Sequence, residues 1–217
     1  MKKNKLIGVY GASGFGREVM PLVKKQYQAD HDIVFIDDSK QKDSINDCKV
    51  LTYNEFIGVP DTNKSAVIAI ADAQIREKLM ARLEIDSVSI LTTRADNVVV
   101  LDQNKIGEGA ILCPFVTITS NAEIGKGFHA NIYSYVAHDC VIGDYVTFAP
   151  GVKCNGNVHI DDFAYIGTGA VIKQGTPEKP LLIGKGAIVG MGAVVTKSVK
   201  AGDTVFGNPA KSLKRGS

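Results

Sequence analysis

Ile106-Gly107-Glu108-Gly109-Ala110-Ile111-Leu112-Cys113-Pro114-Phe115-Val116-Thr117-Ile118-Thr119-Ser120-Asn121-Ala122-Glu123-Ile124-Gly125 returns to its opening dipeptide after 18 residues. Within that span a shorter beat runs. Stepping by six from Ile106, the chain reads Ile106, Leu112, Ile118, Ile124, Ala130, Val136, Ile142, Phe148, Cys154, Ile160, Ile166 and Ile172. All are apolar or Cys, which in a chain 45% hydrophobic has a chance on the order of 10⁻⁴. Four positions further on in the hexads stand mostly small or β-branched residues: Ala110, Val116, Ala122, Ser134, Cys140, Val146, Val152, Val158, Ala164 and Ala170. One aliphatic and one small inward residue in every six is the pattern of a parallel β-helix, whose triangular coil takes three short strands. Ile106-Gly107, Ile124-Gly125, Ile142-Gly143 and Ile160-Asp161 mark one corner on successive coils. Glycine there is expected to serve a sharp turn, at φ values that a Cβ disfavours. The beat slips by five residues across 173–180, read as a loop extruded from a corner, and resumes through Ile183, Val189 and Val195.

Upstream of about residue 88 the period is different. Strands are expected over 6–10, 33–36 and 66–70, and helices over 16–26 and 74–83. That alternation predicts an α/β, half-Rossmann domain over 1–87, followed by the all-β helix over 88–217. Gly11, Gly14 and Gly16 follow the first strand, with Asp37 and Asp38 some 21 residues later, a loose phosphate-binding fingerprint. The domain is too short for a second mononucleotide half, so NAD is not expected. The N–H groups of such a loop still suit a phosphate, with Ser13 as helix N-cap.

Composition excludes several classes of function. The 217 residues carry 25 Lys+Arg against 23 Asp+Glu, a net charge of +2, too little for a general nucleic-acid or polybasic membrane surface. No segment approaches the length of a membrane span. The apolar run after Met1-Lys2-Lys3 is short and ends in glycines, so it reads as a strand rather than a signal peptide. Cys48, Cys113, Cys140 and Cys154 form no CxxC pair or zinc spacing, which suggests reduced thiols and a cytoplasmic protein. No metal is expected either, because His129, His138 and His159 do not stack at multiples of 18.

His138 and Gly156 do stack, being 18 residues apart. They should lie on successive coils, about 4.8 Å apart, which puts a base beside a bare backbone N–H. Acyl transfer from a thioester to an amine needs both groups. A neutral imidazole accepts the amine proton near pH 7, and a fixed N–H stabilises the charge developing on the thioester oxygen. Cys140 and Cys154 fall on inward positions, so packing rather than a covalent acyl-enzyme is expected of them.

The hexads, Gly11-Ala12-Ser13-Gly14-Phe15-Gly16, Phe35-Ile36-Asp37-Asp38, His138-Asp139-Cys140-Val141-Ile142-Gly143-Asp144, Gly151-Val152-Lys153-Cys154-Asn155-Gly156-Asn157-Val158 and the ending Gly207-Asn208-Pro209-Ala210-Lys211 carry a family resemblance. Over essentially its whole length the chain resembles the NeuD-like sialic acid O-acetyltransferase family, in particular its PglD-like nucleotide-4-amino-sugar N-acetyltransferases. The resemblance implies a left-handed β-helix and a homotrimer with active sites at subunit interfaces. It implies acetyl-CoA as co-substrate and a UDP- or dTDP-linked 4-amino-4,6-dideoxy sugar as acceptor, for a bacterial surface glycan. O-acetylation of sialic acid or another hydroxyl is the alternative. By the same resemblance His138 is the general base, the Gly156 N–H binds the thioester carbonyl, and Asp139 and Asn131 orient base or substrate. Gly11, Ala12, Ser13, Gly14, Asp37 and Asp38 hold the nucleotide. Thr168, Gly190 and Met191 follow the pantetheine arm, and Lys185, Lys211 and Lys214 meet the CoA phosphates. Many relatives carry a second histidine where Thr147 stands, and there a hydroxyl replaces the imidazole as donor.

Overall fold

A computed structural model describes residues 5–60 and 62–213. It divides into two compact units, Met1–Thr93 and Arg94–Ser217. The first contains β1 (Lys5–Tyr10), α1 (Gly14–Tyr27), β2 (Asp32–Ile36), β3 (Ser44–Ile45), β4 (Cys48–Leu51), α2 (Tyr53–Ile57), β5 (Asn63–Ile68), α3 (Ala73–Ile85) and β6 (Ser89–Ile90). Its sheet has the order β3-β4-β2-β1-β5-β6, parallel throughout except for the β3–β4 pair. Ile7, Val9, Phe35, Ile36, Ala66 and Val67 are buried, the unbroken apolar runs of a parallel sheet. β1 lies between β2 and β5, so the order reverses at its C-terminal end, where open α/β sheets bind ligands.

Two features of this unit escape a periodicity reading. The β3–β4 hairpin is too short for alternation to register, and it turns through Asn46 and Asp47, both at positive φ. α2 is a five-residue helix, marked instead by the capping box of Thr52 and Glu55. The unit also runs past the change of period, because β6 pairs with β5 through Ser65 and Ser89.

The second unit is a β-helix with three faces. The first stacks Ile111–Leu112, His129–Ala130, Thr147–Phe148, Tyr165–Ile166 and Ile188–Val189. The second stacks Val99–Val100, Thr117–Ile118, Tyr135–Val136, Lys153–Cys154, Val171–Ile172 and Val194–Val195. The third stacks Lys105–Ile106, Glu123–Ile124, Val141–Ile142, Val158–Ile160 and Leu181–Ile183. Partners such as Tyr135 and Lys153 are 18 residues apart, whereas Ile160 and Ile183 are separated by five more. The extruded loop is thus absorbed without loss of register.

The inward hexad residues from Leu112 to Ile172 are all buried in one core, with Ile106 packed against its end. One coil inverts the size rule. Phe128 occupies a small-residue position and Ala130 an aliphatic one, and the Phe128 ring meets Phe148 edge-on at 5.2 Å. Phe128→Ala leaves a cavity that Ala130 cannot fill, with an expected cost of about 3–5 kcal/mol, read from the denaturant midpoint.

Left-handed backbone recurs on its own step of six: Gln103, Gly109, Phe115, Asn121, Gly127, Tyr133, Asp139, Tyr145, Gly151, Asn157, Phe163 and Gly169. Gly107, Gly125 and Gly143 are not among them, which corrects the expectation that their φ demands glycine. Close stacking demands it instead. A Cβ on Gly107 would come 2.6 Å from the Gly125 carbonyl carbon, and one on Gly143 2.6 Å from the Asp162 nitrogen.

Candidate active site

The turn after Tyr135–Val136 carries His138 and Asp139, and one coil on, the turn after Lys153–Cys154 carries Asn155, Gly156 and Asn157. The Asn157 N–H donates to the His138 carbonyl at 3.0 Å and stitches the two turns together. The imidazole then lies against Gly156, where a Cβ would come 2.5 Å from Nε2 and 3.0 Å from Cδ2. The Gly156 N–H donates to no group among the described residues. Asp139 sits in the left-handed region at φ 56, and its Oδ2 meets His138 Nδ1 at 2.7 Å. An ionised carboxylate can only accept, so Nδ1 carries the proton, and in the neutral imidazole Nε2 keeps its lone pair.

The His138 bond, and after it one from Asn121, hold the Asp139 carboxyl below the usual carboxylate range. A depressed value means that the Asp139 carboxylate is ionised at neutral pH and is lost as an acceptor only as pH falls through that value. The His138 and Asp139 side chains are 57% and 47% exposed, so the pair adds little stability and stays open to substrate. Behind it, Tyr135 donates its hydroxyl hydrogen to Asn155 Oδ1 at 2.7 Å, and Asn155 Nδ2 donates to the Ile172 carbonyl at 2.7 Å. These bonds fix the residue before Gly156. Cys140 donates to the Asn155 carbonyl at 3.2 Å, and its sulfur lies 4.0 Å from that of Cys154, both buried.

The other residues expected beside the base or along the acyl donor stand elsewhere on the coils. Asn131, Thr168, Gly190 and Met191 occupy turns that follow the first face, not the second. Asn131 Oδ1 accepts from the Ile132 N–H at 3.0 Å, and no hydrogen bond joins it to His138 or Asp139 among the described residues. The Gly190 N–H is already given to the Val205 carbonyl, while Met191 is 76% exposed. Thr147 lies within the first face between His129 and Tyr165. Lys185 belongs to the third set of turns, over the Phe163 ring and 3.3 Å from Asp162. Lys211 is exposed on a short terminal strand, and Lys214 lies outside the described residues.

In the first unit the three fingerprint glycines have separate causes. Gly11 turns at φ +104, Gly14 faces open space, and a Cβ on Gly16 would come 2.8 Å from the Gly11 carbonyl carbon. Those are the needs of a tight turn, of close ligand approach and of helix–strand packing. Ser13 stands at the N-cap position without a side-chain cap bond. Beside this loop is a cavity of about 430 Å³ lined by Ala12, Ser13, Arg17, Asp37, Lys40 and Lys42, among others. Asp37 faces it and accepts from the Ser39 N–H at 2.9 Å. Asp38 does not line it. Its oxygens accept from the Tyr10 hydroxyl at 2.5 Å and the Tyr53 N–H at 2.8 Å, which binds it into the fold. Arg17 was not singled out from sequence, though its place one turn into α1 from Gly14 is a readable signal.

Coils built of hexapeptides, carrying this exposed imidazole, define the class: a hexapeptide-repeat acyltransferase. Residues 6–83 match the PglD N-terminal domain and 121–156 the bacterial transferase hexapeptide (six repeats). Over 214 residues the chain is 53% identical to a GDP-perosamine N-acetyltransferase of Escherichia coli O157:H7, covering 97% of each. It matches WeeI from Acinetobacter baumannii AYE at TM-score 0.94 and 64% identity, over 96% of this chain and 100% of that one. The acetyltransferase domain of PglB from Neisseria gonorrhoeae FA1090, in complex with acetyl coenzyme A, matches at TM-score 0.86 and 26% identity, over 97% and 100%. The chain belongs to the PglD-like sugar N-acetyltransferases, enzymes in which an N-terminal Rossmann-like domain is followed in sequence by a left-handed β-helix.

Proposed function

We propose that the protein transfers the acetyl group of acetyl-CoA to the C4 amine of a GDP-linked 4-amino-4,6-dideoxyhexose, GDP-perosamine first among them. One observation carries the chemistry: the His138 ring, its Nδ1 held by Asp139, lies against Gly156, whose N–H donates to no group among the described residues. The amine nitrogen attacks the thioester carbon and gives its proton to His138 Nε2, while the Gly156 N–H stabilises the oxyanion of the tetrahedral intermediate. The C–S bond then breaks, and the departing thiolate takes the proton back from the imidazolium. The name of the relative at 53% identity supports guanosine as the carrier, in place of the uridine or thymidine expected from the family at large.

In this reading the diphosphate rests on the N–H groups at the start of α1 and on Arg17 and Lys42, and Asp37 rather than Asp38 meets the ribose or base. The enzyme works as a homotrimer. Asn131, Thr168 and Met191, on a different set of turns from His138, are supplied to each site by a neighbouring subunit. Among the described residues no helix is long and apolar enough to cross a membrane. The enzyme works in the cytoplasm, the compartment that its four reduced cysteines suit.

The test compares kcat/KM for GDP-, UDP- and dTDP-linked 4-amino-4,6-dideoxy sugars and for sialic acid. Preference for the GDP sugar is expected, and Arg17→Ala should raise its KM about 10-fold while the KM for acetyl-CoA stays put. A better UDP or dTDP sugar removes the guanosine assignment. Turnover of sialic acid alone replaces N-transfer with O-transfer.

A further inference from the structure

The turn that precedes the His138 turn by one coil holds Asn121, 18 residues before Asp139 and, like it, at positive φ. Its Nδ2 donates to Asp139 Oδ1 at 3.3 Å, while Asp139 Oδ2 meets His138 Nδ1 at 2.7 Å. With one oxygen tied to each neighbour, the carboxylate has a fixed rotation. We infer that Asn121 is a positioning residue of the transfer reaction, the third member of an amide–carboxylate–imidazole chain that runs across two coils. The inference rests on His138 being the base.

The plain alternative is that Asn121 serves its turn only, since asparagine tolerates left-handed backbone better than most residues. Corresponding turns on this unit's other corners, however, are made equally well by Gly127, Tyr133, Tyr145 and Gly151. The backbone therefore does not require an amide. What the amide adds is a donor to the oxygen of Asp139 that faces away from the imidazole, and it helps to keep that carboxylate ionised. The groups around His138 are few. Asp139 comes from its own turn, Ser120 and Asn121 from the turn before, uncharged Gly156 from the turn after, and Cys140 lies behind in the core.

Asn121→Gly separates the two roles, because glycine keeps the left-handed turn and removes only the amide. Its kcat should fall about 3- to 10-fold at pH 7, with both KM values and the melting temperature near wild type. Asn121→Asp places a second carboxylate against Asp139, favours the imidazolium, and should move the acid limb of the kcat/KM profile to higher pH. A wild-type kcat in Asn121→Gly overturns the inference and leaves the turn as the whole role of Asn121. His138→Ala, assayed alongside, tests the reading beneath it: undiminished turnover there removes His138 as base whatever the Asn121 variants do.

Discussion

Replacing His138 with alanine is expected to lower kcat by about 10²–10⁴ while the protein keeps its fold. In the neutral ring only Nε2 has a lone pair available for a proton, since Nδ1 is spent on Asp139 at 2.7 Å, and the ring lies against Gly156, whose N–H donates to no group among the described residues. Without the ring, the amine must lose its proton to water. The rate that remains comes from holding the two substrates together and from the Gly156 donor. The His138 side chain is 57% exposed and packs into no core, so the melting temperature should barely change. Steady-state kinetics on a variant with a wild-type melting curve decides the matter, and an undiminished kcat rules out the general-base role.

Gly156→Ala should cost about 10²-fold or more in kcat by a different route. The added methyl would sit 2.5 Å from His138 Nε2, so one of the two must move. What moves is the ring, the far end of a half-exposed side chain, because the backbone at Gly156 is stitched between coils through Asn157 and Gly175. Gly156 is not at positive φ, so alanine brings no backbone strain. Swinging the ring away breaks its bond to Asp139 and takes Nε2 out of line with the acceptor. A stable, poorly active Gly156→Ala enzyme is the expected result. A stable variant with wild-type kcat would mean that the ring position seen here is not the one used in turnover.

The β-helix was legible because a coil has only six inward positions and the sequence fills them to a strict beat, from Leu112 to Ile172. The pairing of His138 with Gly156 followed from the same arithmetic. Asn121 was open to it as well, since 139 less 18 is 121, but its role depends on where an amide points, which no period encodes. The left-handed turns were hidden for a related reason. They are made by Asn, Asp, Gln, Phe, Tyr and Gly alike, so no residue type announces them. The corner glycines were noticed for the wrong cause, close stacking having been taken for an unusual φ. In the first unit, Asp37 and Asp38 are indistinguishable in sequence. They part only when Tyr10 and Tyr53 close on Asp38 and leave Asp37 at the cavity.

The most direct measurement follows free thiol and amide product together in one mixture of the protein, acetyl-CoA and a GDP-linked 4-amino-4,6-dideoxyhexose at neutral pH, with the acylated position assigned by NMR. One thiol released for each acetamide formed at C4, with no acetylated protein by intact mass, is the expected result. No acetyl transfer to any nucleotide-linked amino sugar, or an acetyl group found on the protein itself, would contradict direct transfer at His138.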